Sequence, residues 1–373
     1  MGLDRARLDE LVHEAEGNGS DSLVILKDGR VVVERYFGTV AAPIETMSVT
    51  KSVVSLAIGM LIDEGKIASV DAPVSTWFPE WKEGKRGKVT LRHLLTHTSG
   101  LEHKKGAAVL SSKPDRVKFA RASKILDEPG RAFSYSNEAT QLLSAIIKSA
   151  AGRPVDAYLR DKLFTPLGIK GWSWAHDKAE NTLTYYGLAL TARDLARLGM
   201  LMLAEGTWEG KSLLPAAYVH QATSAGIDTA QHYGLLWWLR HDGTERLLGR
   251  EHIDALRAAG FASADKLQPL IDRAVSSDEA WFLEAGALLD PTERAQLVEL
   301  KNRGVTLFAT RPGKQLGYYA DGWLGQKLGV YPASKVIAVR QHRRREGTEE
   351  ENQKAGFSSF YKMLEAAVME PRP

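Results

Sequence analysis

No cysteine occurs among the 373 residues of this chain. Disulfides, a cysteine nucleophile and thiolate metal sites are thereby excluded, while the redox compartment stays open. An excess of charge of one sign is missing too. The formal net charge of +3 is too small to argue for nucleic acid or an anionic membrane as a partner. The longest hydrophobic run, residues 52–62, is too short to span a bilayer. Residues 1–10 have no apolar stretch of the signal-peptide kind and read as an amphipathic helix. Ala6 leaves the Met-Gly start short of a myristoylation motif, and the sequon Asn18-Gly19-Ser20 reads as a loop. A cytoplasmic protein without a membrane partner is expected.

What is present is ordinary in bulk, with 25% charged and 44% hydrophobic residues, and the chain is long enough for one large core or two lobes. The stretch with most to say is Ser48-Val49-Thr50-Lys51 and the apolar run behind it, which ends in Asp63-Glu64-Gly65. Apolar residues on nearly every side predict a helix buried all round, with Gly65 placed to cap it. Ser48 then lies at the first turn, where unpaired N–H groups favour developing negative charge. Lys51, three residues on, falls over the same face. Burial depresses a lysine pKa and frees a neutral amine, the neighbour that a serine hydroxyl needs to act as a nucleophile. The alternative is an N-capping serine with a lysine that reaches out to water.

Along the chain, 22–26 and 31–36 read as strands joined through Asp28-Gly29, a hairpin signal. Thr90 caps a short helix that runs to His97. His93 and His97 stand four apart, a zinc-compatible spacing, but no glutamate follows His93 and His103 lies beyond a glycine. They read as a packing and hydrogen-bonding pair. Pro129-Gly130 marks a turn before Tyr135-Ser136-Asn137, and a helix pattern covers 138–151, so Tyr135 and Asn137 sit on a loop entering a helix. Further helices are predicted at 154–164 and from Thr191 through 203, and a strand at 233–239. Between about 250 and 303 the texture is helical and charged, with no strand signal: an insertion that either overhangs a site or props the fold. Strands at 316–320, 324–331 and 336–341 follow, then an amphipathic helix at 353–368. The basic run Arg340, His342, Arg343, Arg344, Arg345 reads as a solvated turn ending a strand, since no aromatic platform is interleaved with it.

Three features stand in order: Ser48-Val49-Thr50-Lys51, Tyr135-Ser136-Asn137, and the glycine-broken strand Ala320-Asp321-Gly322-Trp323-Leu324-Gly325-Gln326. Each is common alone; in this order and spacing they are specific. The chain resembles the serine β-lactamase superfamily, in its class C β-lactamase, DD-peptidase and esterase branch. Leu94-Leu95-Thr96-His97-Thr98-Ser99-Gly100-Leu101 and Leu190-Thr191-Ala192-Arg193-Asp194-Leu195-Ala196 are similar to wording common in that branch. The likeness covers almost the whole chain except about 250–310.

The resemblance implies an α+β fold, an antiparallel sheet flanked by helices and built from both chain ends, with an all-helical lobe between them. On this chain that is one β-lactamase-like domain over 1–373, with an α/β lobe from about 1–70 and 187–373, a helical lobe at about 71–186 and the helical insertion at about 245–310. It further implies Ser48 as the acylated nucleophile, Lys51 as its proton acceptor and Tyr135 as the shuttle to the leaving group and then from water. Asn137 would bind the acyl portion, with Asp321, Gly322 and Trp323 along the substrate-binding strand. A charged Lys51 would lower the Tyr135 pKa. Backbone N–H groups of Ser48 and of the strand near Trp323 would hold the oxyanion.

The third motif departs from the family's Lys-Thr-Gly or His-Thr-Gly. Ala320-Asp321-Gly322 keeps only the glycine that lets substrate approach the strand, and an acidic residue there repels a substrate carboxylate. The expectation is a serine hydrolase of small esters or amides, without a cofactor. The alternatives are a D-aminopeptidase, a DD-peptidase or a weak β-lactamase, and then a silent ligand-binding member of the fold. The oligomeric state is not legible.

Overall fold

A computed structural model of the chain describes residues 2–38, 40–102, 108–345 and 355–368. It falls into two compact units, Met1–Leu239 with Gly317–Pro373, and Arg240–Leu316.

In the first unit, α1 (Arg5–Gly17), capped by Asp4, precedes β1 (Ser22–Lys27) and β2 (Arg30–Tyr36). Asp28 and Gly29 both take positive φ, at 51° and 74°, the two-residue turn whose twist suits a hairpin. Helix α2 (Val49–Asp63) is buried at every residue from Val49 to Leu61. It ends at Gly65 in the left-handed region, φ 68°, the conformation glycine takes without a Cβ penalty. Short helices follow, then α3 (Asn137–Ala151), started by Ser136 and stopped by Gly152, and α4 (Ala192–Leu203), started by Thr191. Strands β3 (Trp238–His241), β4 (Gln315–Gly322), β5 (Gln326–Tyr331) and β6 (Val336–Gln341) come next, and α5 (Phe360–Ala367) closes the described chain.

The main sheet has the order β2-β1-β6-β5-β4-β3. β1 pairs antiparallel with β6, from Ser22↔Gln341 to Lys27↔Val336, so the two chain ends share its centre. β5 joins β6 and β4 on its two sides. One face packs on α4, where a Cβ on Gly199 would lie 2.7 Å from Ile337 and 3.1 Å from Leu328. The other packs on α5, where a Cβ on Gly329 would lie 2.9 Å from Tyr361. Each glycine lets an element approach more closely than any side chain permits. The largest apolar cluster joins α2, α3 and α4 to Val24, Leu328, Val330, Ile337 and Val339 of the sheet. The fold is α+β, antiparallel sheets flanked by helices, as the resemblance implies.

Several elements differ from the sequence-based expectation. Residues 233–237 form a buried turn rather than a strand, with Leu236 at φ 63°, an isolated bridge from Tyr233 to Trp238, and the strand itself starting only at Trp238. The helix expected at 154–164 is α-helical over Val155–Leu159 and then widens into a π-turn, a rare local form. Trp323–Gly325 is a 3₁₀ turn between strands, not part of one. Of the terminal helix expected at 353–368, residues 353 and 354 lie outside the described residues, as does His103.

The basic run is not a solvated turn at Arg340. That side chain is fully buried and donates to the carbonyls of Leu324, Gly325, Ala355 and Asn18 and to Ser20 Oγ. Arg343 and Arg345 pair with buried Asp21. Acceptors at all three nitrogens, three of them sharing the two N–H groups of Nη1, explain how the guanidinium is buried at all.

The second unit has helices Arg250–Ala258, Asp278–Ala287 and Pro291–Asn302 around its own apolar cluster, with Trp281 and Phe261 fully buried. It is not all helix. Thr244–Leu247 pairs with Ala274–Val275 and Ala309–Pro312 in a three-stranded sheet. Two-residue strands such as Ala274–Val275 leave no periodic signal.

Candidate active site

The first turn of α2 brings Ser48 and Lys51 together. Met47 takes φ 49°, an uncommon conformation for a side chain other than glycine, and turns the chain into the helix at Ser48. Ser48 holds the N-cap position without a side-chain capping bond, so its hydroxyl is not consumed by the helix. Lys51 does not reach for water. It is 1% exposed, with Nζ 3.0 Å from Ser48 Oγ and 2.8 Å from the Tyr185 carbonyl oxygen. Burial pushes the Lys51 pKa down to about 7 against an opposite pull from the Glu138 carboxylate. The capping-serine and snorkelling-lysine alternative is therefore not the one adopted.

Tyr135 closes the group. Lys51 Nζ lies 4.9 Å from its ring centroid. Burial pushes its pKa up to about 12, the nearby Ser48 hydroxyl pulls the other way, and the Asp321 charge adds to the rise. A Tyr135 acidified by Lys51 is thus not found, because burial dominates and a Lys51 pKa near 7 leaves little positive charge to act. Asn137, the first residue of α3, is half-buried two residues on.

His97 is what holds Tyr135 in place. Its carbonyl accepts from Ser134 N at 2.7 Å and its Nδ1 from Ser136 N at 3.2 Å, one bond on either side of Tyr135. The His97 and Tyr135 rings lie 4.4 Å apart. His93 instead accepts from Thr90 N at the start of its own helix, at 3.1 Å. The two histidines serve different structures, and among the described residues no cluster of three or more metal-ligating side chains occurs. The four-residue spacing drew attention to His97 for the wrong reason.

The third motif lies beside the Ser48 turn. A Cβ on Gly322 would sit 2.6 Å from the Thr46 carbonyl oxygen and 3.0 Å from Met47 Cβ. The glycine is required by the chain itself, which presses the end of β4 onto the residues preceding Ser48. Trp323 follows, 53% exposed, with the Arg344 guanidinium 5.6 Å from its ring. Asp321 is not an open negative charge: it faces Lys327 at 3.2 Å and accepts from Tyr361 OH at 3.0 Å. Ala320, the first residue of this motif, is buried in the main core.

A family model described as Beta-lactamase matches residues 8–357. Esterase EstB of Burkholderia gladioli is 30% identical over 159 residues, 37% of this chain and 40% of EstB. The D-alanyl-D-alanine-carboxypeptidase/endopeptidase AmpH of Escherichia coli (strain K12) is 29% identical over 182 residues, 42% of this chain and 46% of AmpH. The matched stretch is less than half the length of either relative. The crystal structure of a penicillin binding protein from Bacillus halodurans shares the fold, with a TM-score of 0.60 at 17% identity over 95% of this chain and 98% of that one. Among the described residues no helix is long and apolar enough to cross a membrane.

Proposed function

The chain belongs to the Beta-lactamase family, and we propose that it hydrolyses small esters or amides through an acyl-enzyme on Ser48. The observation that carries this is the buried Lys51 amine, 3.0 Å from Ser48 Oγ with its pKa brought down to about 7. Near neutral pH a large fraction of that amine is uncharged and able to accept a proton.

In the first step the Ser48 proton passes to Lys51 Nζ as Oγ bonds to the substrate carbonyl carbon. The oxygen so charged is met by the N–H groups of Ser48 and Trp323. Tyr135, protonated at neutral pH, gives its proton to the leaving oxygen or nitrogen as that bond breaks, and takes one back from Lys51. In the second step water repeats the sequence against the ester on Ser48 and releases the acid. Asn137 hydrogen-bonds the acyl portion, and Asp321, Gly322 and Trp323 form the strand end along which substrate lies. No cofactor enters. An oxyanion donor of this kind lowers the barrier by about 3–4 kcal/mol.

Neutral esters are favoured over carboxylate-bearing substrates by Ala320, which offers no cation, and by Lys327, which is committed to Asp321. The test is kcat/KM for p-nitrophenyl butyrate, a penicillin and a D-Ala-D-Ala peptide, side by side. The ester is expected to lead. A penicillin or the peptide turned over faster than the ester overturns the substrate class.

A further inference from the structure

Beside the Ser48–Lys51 pair stands a group of rings of which the reaction above uses only Tyr135. Trp238 is at its centre. The Tyr135 ring lies 6.0 Å away at 13° and the Tyr319 ring 6.3 Å away at 15°, so three planes share nearly one tilt. The rings are braced from behind. Buried Tyr233 meets Trp238 edge-on at 4.6 Å and 87°, buried Tyr361 backs Tyr319 at 4.6 Å, and Phe133 flanks Trp238 at 5.8 Å. Trp238, Tyr319, Tyr135 and Phe133 are each only half-buried, whereas Trp81, Trp237 and Trp281 are fully buried. These rings were drawn from separate parts of the chain and set parallel beside the nucleophile, with part of their surface left to solvent. Such an apolar surface in contact with a reactive group is a recognition surface by default.

We infer that this platform binds a flat aromatic group on the leaving side of the substrate, an inference that rests on the acyl-enzyme reading above. The side follows from Tyr135. Its ring lies 4.9 Å from Lys51 Nζ, itself 3.0 Å from Ser48 Oγ, and is one of the three planes, so a leaving atom protonated by Tyr135 carries its substituent over the rings. Centroid spacings of 6.0 and 6.3 Å are too small to sandwich another ring, because two van der Waals contacts need about 7 Å. The group therefore lies across the outer face. Lys327 is engaged by Asp321, and Lys51 by Ser48 and the Tyr185 carbonyl, so what Trp238 and Tyr319 present is π-face rather than either of these cations. Offset stacking of this kind is worth about threefold to tenfold in affinity over a saturated group of equal size.

The test compares benzyl acetate with cyclohexylmethyl acetate, which share the acyl group, the shape and a poor alkoxide leaving group and differ in aromaticity. Wild-type protein is expected to prefer the benzyl ester in kcat/KM by about threefold to tenfold. Trp238→Leu and Tyr319→Leu are expected to bring the ratio towards one, and Trp238→Phe to restore most of it. Labelling of Ser48 by a small alkyl fluorophosphonate is followed in each protein. Labelling without a benzyl preference, or with one that survives Trp238→Leu and Tyr319→Leu, overturns the platform and leaves the nucleophile standing. Absence of labelling in wild type overturns the reading on which the platform rests.

Discussion

The Lys51 side-chain nitrogen lies 2.8 Å from the carbonyl oxygen of Tyr185. That carbonyl takes one N–H and holds the amine where Ser48 Oγ is 3.0 Å away. Lys51→Met keeps the length of the buried stem and removes the acceptor. It is predicted to lower kcat/KM by about 10²–10⁴-fold in a protein that stays folded, checked by ester hydrolysis beside circular dichroism.

The same group sets a pH dependence. With its pKa lowered to about 7, kcat/KM is predicted to rise with unit slope up to pH 7 and to level off above it. The sign for stability follows from proton counting. The unfolded lysine holds its proton up to its ordinary 10.5, the folded one only to about 7. Between these values the unfolded chain binds more protons, so stability rises with pH across that window. Thermal midpoints of wild type and Lys51→Met from pH 7 to 10 check it: wild type is predicted to gain on the variant as pH rises.

Tyr135, with its pKa pushed up to about 12, is a proton donor at neutral pH. Tyr135→Phe is predicted to lower kcat/KM, which reports acylation, by about 10²-fold or more for an alkyl ester and much less for a p-nitrophenyl ester, because p-nitrophenolate leaves without a proton. Equal losses on the two esters contradict the donor role.

Gly322→Ala places a methyl group 2.6 Å from the Thr46 carbonyl oxygen. A backbone atom cannot swing aside as a side-chain tip does. The substitution is predicted to cost about 1–3 kcal/mol of stability and to move the end of β4 off the Ser48 turn. Urea unfolding and kcat measure the two effects separately.

Arg340→Met removes the donors shared by the carbonyls of Leu324, Gly325, Ala355 and Asn18. Leu324 takes φ 62° and Gly325 φ 72°, so the turn after Trp323 loses the group that holds it. A loss of about 3 kcal/mol is predicted, read by urea unfolding. Arg340→Lys recovers little of it, since an ammonium cannot serve acceptors spread around a planar fork.

Much of this was legible in the chain. Local signals such as Asp28-Gly29, Gly65 and the Thr90 cap depend on neighbouring residues alone, and the structure has the turn and helix ends they predict. The burial of α2 was legible because its apolar residues leave no polar face. Other features rest on partners far along the chain. His97 binds Ser136 across 39 residues, and the acceptor for Lys51 is a backbone carbonyl, which no residue type announces. Asp321 looked like a free negative charge because its partners, Lys327 across the strand pair and Tyr361 on α5, emerge only from register and packing. Arg340 looked solvated because a strand's burial on both faces is a property of the sheet. The turn at 233–237 misled for a related reason: a short apolar run has the same pattern in a buried strand and in a buried turn.

The central claim, a covalent acyl-enzyme on Ser48, is tested most directly by intact-mass spectrometry. Wild type and Ser48→Ala are each mixed with a p-nitrophenyl short-chain ester, a penicillin and a fluorophosphonate. A mass increase of one acyl or phosphonyl group in wild type, mapped to Ser48 and absent from Ser48→Ala, is the predicted result. An equal increase in both proteins, or none with any reagent, contradicts it.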